Sequence, residues 1–319
     1  MSAPAPKFSI VIPVYNGAET LARAVDSVLA QTHPAHEILI VDDGSTDSTA
    51  QIAGRYDAPV RYVHQPNQGV SAARNLGARE AVGDWLAFLD ADDHYYPNRL
   101  QVHAQMLAEV PDLDLMTADF DYLDLQGQVL GRSLTANPLG RSLLARATGS
   151  SLVVDAPTEL AQFVAQHFGD THTLSVRRAR FLEAGGYPLG FPVCEDVHLL
   201  VRLTVAASRI GVWLEPVAAY VVHAGSATRK DPVRAQRETV RALSDLRIRI
   251  AAPSWARRGV AEGLRQARFD WAVALLRTGR RGEAVAAMAP AVWGCPGWTS
   301  WRNLAAVVRT ALTPNGQPT

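Results

Sequence analysis

Cysteine is nearly absent. The two in this 319-residue chain, Cys194 and Cys295, lie a hundred residues apart and form no C-x-x-C pair. Neither a disulfide framework nor a zinc site is expected, and a reducing compartment, the cytoplasm, fits. Long apolar runs are missing too. A polar or charged residue interrupts each one well before the roughly 18 residues a spanning helix needs, so none is expected. The N-terminus lacks the charged-then-apolar layout of a signal peptide. No G-x-x-x-x-G-K-[ST] string occurs, which excludes a P-loop NTPase. Net charge is also missing: 31 Lys and Arg balance 31 Asp and Glu. Blanket attraction to nucleic acid is not suggested, and no nucleic-acid partner is expected. There is no internal repeat and no low-complexity tract.

What is present is a globular composition, 48% apolar and 19% charged. The charge balance hides an asymmetry. From Arg229 onward sixteen Lys and Arg face six Asp and Glu, a surplus of ten positive charges, and the first 228 residues carry the opposite surplus. An acidic front and a basic tail can have different partners.

The front reads as alternating strands and helices. Phe8 to Ile12 is a short β-branched run ending at Pro13, a buried strand, and Tyr15-Asn16-Gly17 is a turn. Leu21, Ala24, Val25 and Val28 recur at helical spacing, which predicts a helix over 19–30. Residues 38–41 and 60–63 read as strands, with Ser45 or Thr46 placed to cap the helix between them. A helix over 71–81 closed by Gly83, a strand over 85–89 and a helix starting near Pro97 continue the rhythm. Strands near 113–118 and 171–176 and helices near 157–167 and 196–206 follow. Such alternation means a doubly wound, mostly parallel, Rossmann-like α/β sheet. From about Ala235 the chain is helical and basic. The expected organisation is a domain over 1–228 with a helical C-terminal appendage over 229–319.

Ligands in such sheets bind beyond the carboxyl ends of the strands. Three strands here end in Pro13-Val14-Tyr15, Asp42-Asp43 and Asp90-Ala91-Asp92. Asp90 and Asp92 can reach one small cation. Hard oxygen ligands favour Mg²⁺ or Mn²⁺, which keeps open positions for substrate phosphates. The bland alternative is a solvated acidic turn. Asp42 or Asp43 could accept from a base N–H or a ribose hydroxyl, or could simply belong to a strand-to-helix turn around Gly44.

SIVIPVYNGAETLARAVDSVLAQTHPAHEILIVDDGSTDST followed by QPNQGVSAARNLGAREAVGDWLAFLDADD resembles glycosyltransferase family 2, inverting enzymes with the GT-A fold. The resemblance spans about residues 7 to 225. It implies that Pro13 and Tyr15 line the nucleobase, that Asp43 reads it with Asp42 beside it, and that Arg74 faces the donor. The simpler role for Arg74 is an ion pair with a rim aspartate. Asp90 and Asp92 match the metal-binding motif. Glu195-Asp196, after Gly185-Gly186-Tyr187, resembles the acidic pair whose Asp is general base; Glu195 competes for that role, and one of the two could only cap a helix. His223 matches a position that supplies a third metal ligand in some GT-A enzymes, or is structural. Cys194 has no neighbour that marks it as a nucleophile.

The resemblance implies transfer of a sugar from a nucleotide diphosphate donor, UDP by family preference, to a glycan or lipid-linked acceptor in polysaccharide or lipopolysaccharide synthesis. A sugar nucleotidyltransferase would want a glycine-rich basic loop where Pro13-Val14-Tyr15-Asn16-Gly17 stands. A non-catalytic nucleotide-sugar-binding module would have lost the metal pair or the base. The basic tail, with Trp255, Trp271, Trp293, Trp298 and Trp301, could make peripheral contact with the inner face of an anionic membrane, or could be a solvated helical cap.

Overall fold

The computed structural model describes residues 5–223, 230–249, 251–294 and 297–313. The expected boundary near residue 228, and Cys295, lie outside them. The chain divides into two compact units. The first takes the described residues of Met1–Ala156, Gly169–Leu189 and Arg202–His223; the second takes those of Pro157–Phe168, Gly190–Val201 and Ala224–Thr319.

The first unit is built on a ten-stranded sheet. Its strands are β1 (Phe8–Val14), β2 (Glu37–Asp42), β3 (Val60–His64), β4 (Trp85–Phe88), β5 (His94–Tyr95), β6 (Leu115–Leu123), β7 (Val129–Arg132), β8 (Ser151–Val154), β9 (Ser175–Arg177) and β10 (Ile210–Val221). The main order is β3-β2-β1-β4-β9-β6-β10-β5. β3, β2, β1 and β4 are mutually parallel, and so are β6 and β10. The short β9 runs against both β4 and β6 and joins the two parallel blocks. The long strands therefore share one direction, as a doubly wound sheet requires.

Every residue of β1 and β2 is buried, so their uninterrupted apolar runs are strands covered on both faces. Phe8, Ile10, Ile12 and Val14 pack with Leu21, Val25 and Val28 of α1 (Leu21–Leu29) on one face. Val11 turns to the other, against Gly77 of α3 (Val70–Glu80). Pro13 sits inside this central strand without breaking it. On the β4 side the ladder stops at Val11 opposite Phe88, so the N–H that proline lacks is not missed there. A Cβ on Gly77 would lie 2.4 Å from Val11 Cγ1 and 3.0 Å from Val41 Cγ2. Gly77→Ala is expected to lose about 1–2 kcal/mol, because overpacking outweighs the helix propensity gained. Urea denaturation checks the sign; a more stable variant would show that α3 has room to lift.

Several local expectations are corrected. The helix after Asp47 is α2 (Thr49–Ala53), and neither Ser45 nor Thr46 caps it. Asp47 Oδ1 instead accepts from Thr49 N at 3.0 Å, while Ser45 Oγ accepts from Asn16 N at 2.9 Å. Gly83 does not close α3, which ends at Glu80; its N–H donates to Ser9 Oγ at 2.9 Å. The helix near Pro97 is α4 (Arg99–Glu109), entered through Asn98. Of the strand expected over 171–176 only β9 forms, because residues 171–173 are a turn held by Asp170.

Two further short helices, α5 (Ser133–Ala136) and α6 (Pro138–Arg146), and then α8 (Arg178–Glu183) complete the first unit's helices, while α9 (Glu195–Ala206) contributes residues to both units. The second unit also contains α7 (Pro157–Gln166), α10 (Pro232–Arg249), α11 (Ser254–Arg277), α12 (Arg281–Gly294) and α13 (Trp298–Leu312). Gly259 and Gly263, one turn apart on α11, let it approach α7 closely: a Cβ there would meet Ala161 O at 2.6 Å and Ala165 O at 2.8 Å. Trp271, expected at a surface, packs beside the core of Ala272, Leu275, Met288 and Val307. Among the described residues no helix is long and apolar enough to cross a membrane.

Candidate active site

The parallel strands deliver their acidic ends to one rim. β1 and β2 are in register with Val14 opposite Asp42, and Asp43 N donates to Val14 O at 2.8 Å. Asp42 is buried; Oδ1 accepts from Ser45 N and Oδ2 from Tyr62 Oη, both at 2.7 Å. Asp43 is buried as well. Its Oδ1 accepts from Gln65 Nε2 at 2.6 Å and Gln68 N at 2.9 Å, and its Oδ2 from Gly69 N at 2.8 Å. One carboxylate thus holds the loop that leads into α3. Gly44 is left-handed at φ 80°, and a Cβ on it would meet Asn67 N at 2.8 Å. Tyr15 stands 54% exposed at the mouth of this turn, an aromatic face open to a planar ring.

Beyond β4 lie half-buried Asp90 and Asp92. Asp90 Oδ1 accepts from Arg74 Nη2 at 2.6 Å, and the Arg74 guanidinium, almost wholly buried, sits 4.9 Å above the Tyr187 ring. The ion pair with a rim aspartate is therefore present. The pairing is a charge-assisted hydrogen bond that ties α3 to the acidic rim. Asp92 Oδ2 lies 2.9 Å from His223 Nε2, which brings together two expected metal ligands from β4 and the end of β10. Arg23 donates to the Asp92 carbonyl.

A carboxylate and an imidazole so placed suit Mn²⁺ or Mg²⁺, an ion that takes one or two protein carboxylates and completes its shell with water and phosphate oxygens. Among the described residues no group of three or more His, Cys, Asp or Glu is placed to hold a metal ion. Of the three expected ligands, Asp92 and His223 come together, while Asp90 is paired with Arg74.

The sequence reading missed what lies beneath. Asp93 is buried and accepts from Val221 N at 2.8 Å, pinning the acidic loop to β10. Burial holds its carboxyl well above the usual range; Asp92 and Asp90 add to the rise and His172 opposes it. His172 is buried with Nδ1 2.6 Å from Asp170 Oδ1, while its Nε2 makes no hydrogen bond among the described residues. Burial alone would keep the ring neutral, but Asp170, then Asp93 and Asp90, raise it to about 9. A cation is thus stored under an acidic rim. Asn75 grips Tyr187 through both backbone groups at 2.8 Å and so fixes the ring under Arg74. Gly186, at φ 65°, is required there, since a Cβ would lie 2.3 Å from Asn75 Oδ1. The neighbouring pairs Arg74-Asn75 and Gly186-Tyr187 carried a readable signal; His172 carried none.

In the second unit Glu195 and Asp196 open α9. Glu195 is buried and Asp196 half-buried, with Asp196 Oδ1 accepting from Val197 N at 2.8 Å. Cys194, just before them, adopts φ 62°. Its thiol is pushed up to about 12, by burial first and then by Asp196, so it stays protonated.

Residues 9–158 match the family model described as Glycosyl transferase family 2. A Rickettsia felis protein named an uncharacterized glycosyltransferase is 44% identical over 105 residues, 32% of this chain and 17% of that protein's own length. The S. aureus TarS structure in complex with UDP-GlcNAc superposes with a TM-score of 0.65 at 18% identity, over 96% of this chain and 90% of that one. The mannosyltransferase PcManGT from Pyrobaculum calidifontis, in complex with GDP-Man and Mn2+, gives 0.60 at 17% identity, over 98% and 82%. These two likenesses are likenesses of fold, the GT-A architecture.

Proposed function

We infer that the chain, whose residues 9–158 match the model described as Glycosyl transferase family 2, belongs to that family and performs inverting sugar transfer from a nucleotide diphosphate donor, UDP by preference, to an acceptor hydroxyl. The acceptor class is a glycan or lipid-linked glycan in polysaccharide or lipopolysaccharide synthesis. The work is cytoplasmic, with peripheral contact at the membrane's inner face. The catalytic domain is residues 1–228 and the basic helical appendage 229–319.

One observation carries the reading. Two strand tips present Asp42, Asp43, Asp90 and Asp92 at one rim, with Arg74 paired to Asp90 and His223 beside Asp92. Tyr15 and Pro13 would line the base, with Asp43 fixing the loop around it and accepting from the nucleoside. Asp90, Asp92 and His223 would hold the cation. A Mn²⁺ or Mg²⁺ ion bound there would offset charge growing on the departing diphosphate. Asp196 would take the proton from the acceptor hydroxyl as that oxygen attacks the anomeric carbon. The carbon–oxygen bond to the diphosphate breaks on the opposite face, and its electron pair leaves with the diphosphate.

The test is a thermal-shift screen of UDP- and GDP-sugars with and without Mn²⁺, with Asp92→Ala as control. Manganese should strengthen donor binding in the wild type, and the variant should lose about tenfold or more of that gain. A nucleotide that binds with no turnover of any donor would turn the reading to a non-catalytic binding module. Binding indifferent to metal would remove the metal role.

A further inference from the structure

α13 turns its largest apolar side chains outward. Its inward face carries Ser300, Asn303 and Val307, with half-buried Leu304 packed against the core of the second unit. Its outward face, at i, i+3, i+7 and i+14, carries Trp298, Trp301, Ala305 and Leu312, with half-buried Val308 beside them. Trp298 is 80%, Trp301 54% and Leu312 78% exposed. Trp293, near the end of α12, is 82% exposed. A helix that only capped a domain would turn its large apolar residues inward.

Charge says what covers this strip. Arg302 and Arg309 border it and are exposed, and from Ala284 to the C-terminus there is no Asp or Glu at all. Tryptophans and leucine flanked by arginines, with no acid to repel phosphate, are the composition of a helix lying in a headgroup layer. Indole suits that depth because its ring is apolar and its N–H is polar. We propose that the outward face of α13, bordered by Arg302 and Arg309, seats the protein on an anionic lipid bilayer. The proposal deepens the membrane contact inferred above by assigning it to one helical face, but lipid binding tests it independently of transfer.

The experiment is flotation of the full chain with vesicles of phosphatidylcholine alone and of phosphatidylcholine mixed with phosphatidylglycerol. UDP binding and melting temperature are measured on the same preparations. The wild type should float with the anionic vesicles and much less with the neutral ones. Arg302→Gln with Arg309→Gln should lower the partition about 10- to 30-fold. Trp298→Ser with Trp301→Ser should lower it about tenfold or more. Neither pair should move UDP binding or melting, because these side chains point outward. Wild type and both variants floating alike, or no flotation on anionic vesicles, overturns the proposal. A concentration-dependent dimer abolished by the Trp pair assigns the strip to a second copy of the chain and overturns it too. Vesicle binding without UDP binding leaves this inference standing and defeats only the transferase reading.

Discussion

Asp196→Asn is expected to cut turnover about 10²–10⁴-fold while donor binding stays near wild type. The substitution is isosteric and keeps an oxygen to accept from Val197 N, so α9 should start as before. What it removes is the charge and basicity that would receive the acceptor's proton. Glu195 is buried whereas Asp196 is half-buried, and a base must be reached by a hydroxyl from solution. Glu195→Gln should therefore cost much less. Cys194 supports the assignment from the side. A left-handed residue with a side chain costs of order 1 kcal/mol or more and persists only where its surroundings hold it. Here Thr239 Oγ1 donates to Cys194 Sγ at 3.2 Å, and Sγ lies 3.5 Å from Ala235 O on α10. The strain sits immediately before the acidic pair that opens α9. The measurement is kcat beside donor Kd for both variants. Near-wild-type kcat for Asp196→Asn would move the base to Glu195 or elsewhere.

The half of the sheet that bears the rim could be read from residues because its strands are buried on both faces. β1 and β2 appear as continuous apolar runs, and the acids that stop them stand where the backbone leaves the sheet. Position and chemistry coincide there. The other half could not be read in the same way. β9 is three residues long and is fixed by pairing with β4 and β6, partners distant in sequence. β5 has two residues and exists through β10. Local propensity cannot foresee elements that only tertiary pairing creates. The capping error at Ser45 has the same origin. A serine before a helix is an ordinary cap, yet Asn16, twenty-nine positions away, claims its oxygen. The ion pair of Arg74 with a rim aspartate was readable as one of two roles, but its clamping was not, because the clamp is Asn75 acting through Tyr187. His172 was invisible because a lone histidine in a turn has no pattern; only its distance to Asp170 makes it a charge.

That charge supports the second large effect. Asp170→Asn is expected to cost about 3 kcal/mol of stability near neutral pH, since it removes the carboxylate that stabilises a buried imidazolium and leaves the ring to lose its proton. The pH dependence gives the check. His172 is raised from 6.5 to about 9 when folded, so its stabilisation is complete below pH 6.5 and is lost as pH rises through about 9. Asp170 is lowered: burial opposes its charge and His172 overcomes that, so its share is present above pH 3.8 and lost as pH falls. The wild type should therefore lose stability between pH 6.5 and 9. In the variant burial becomes the largest influence on His172 and favours the neutral ring, with Asp93 and Asp90 opposing more weakly. Its alkaline decline should flatten. Urea denaturation across that range measures both effects. A neutral-pH loss under about 1 kcal/mol with the alkaline decline intact would show that His172 carries no charge beneath the rim. Asp93 would then have lost the cation that opposes its protonation, and the acidic loop would rest on Val221 N alone.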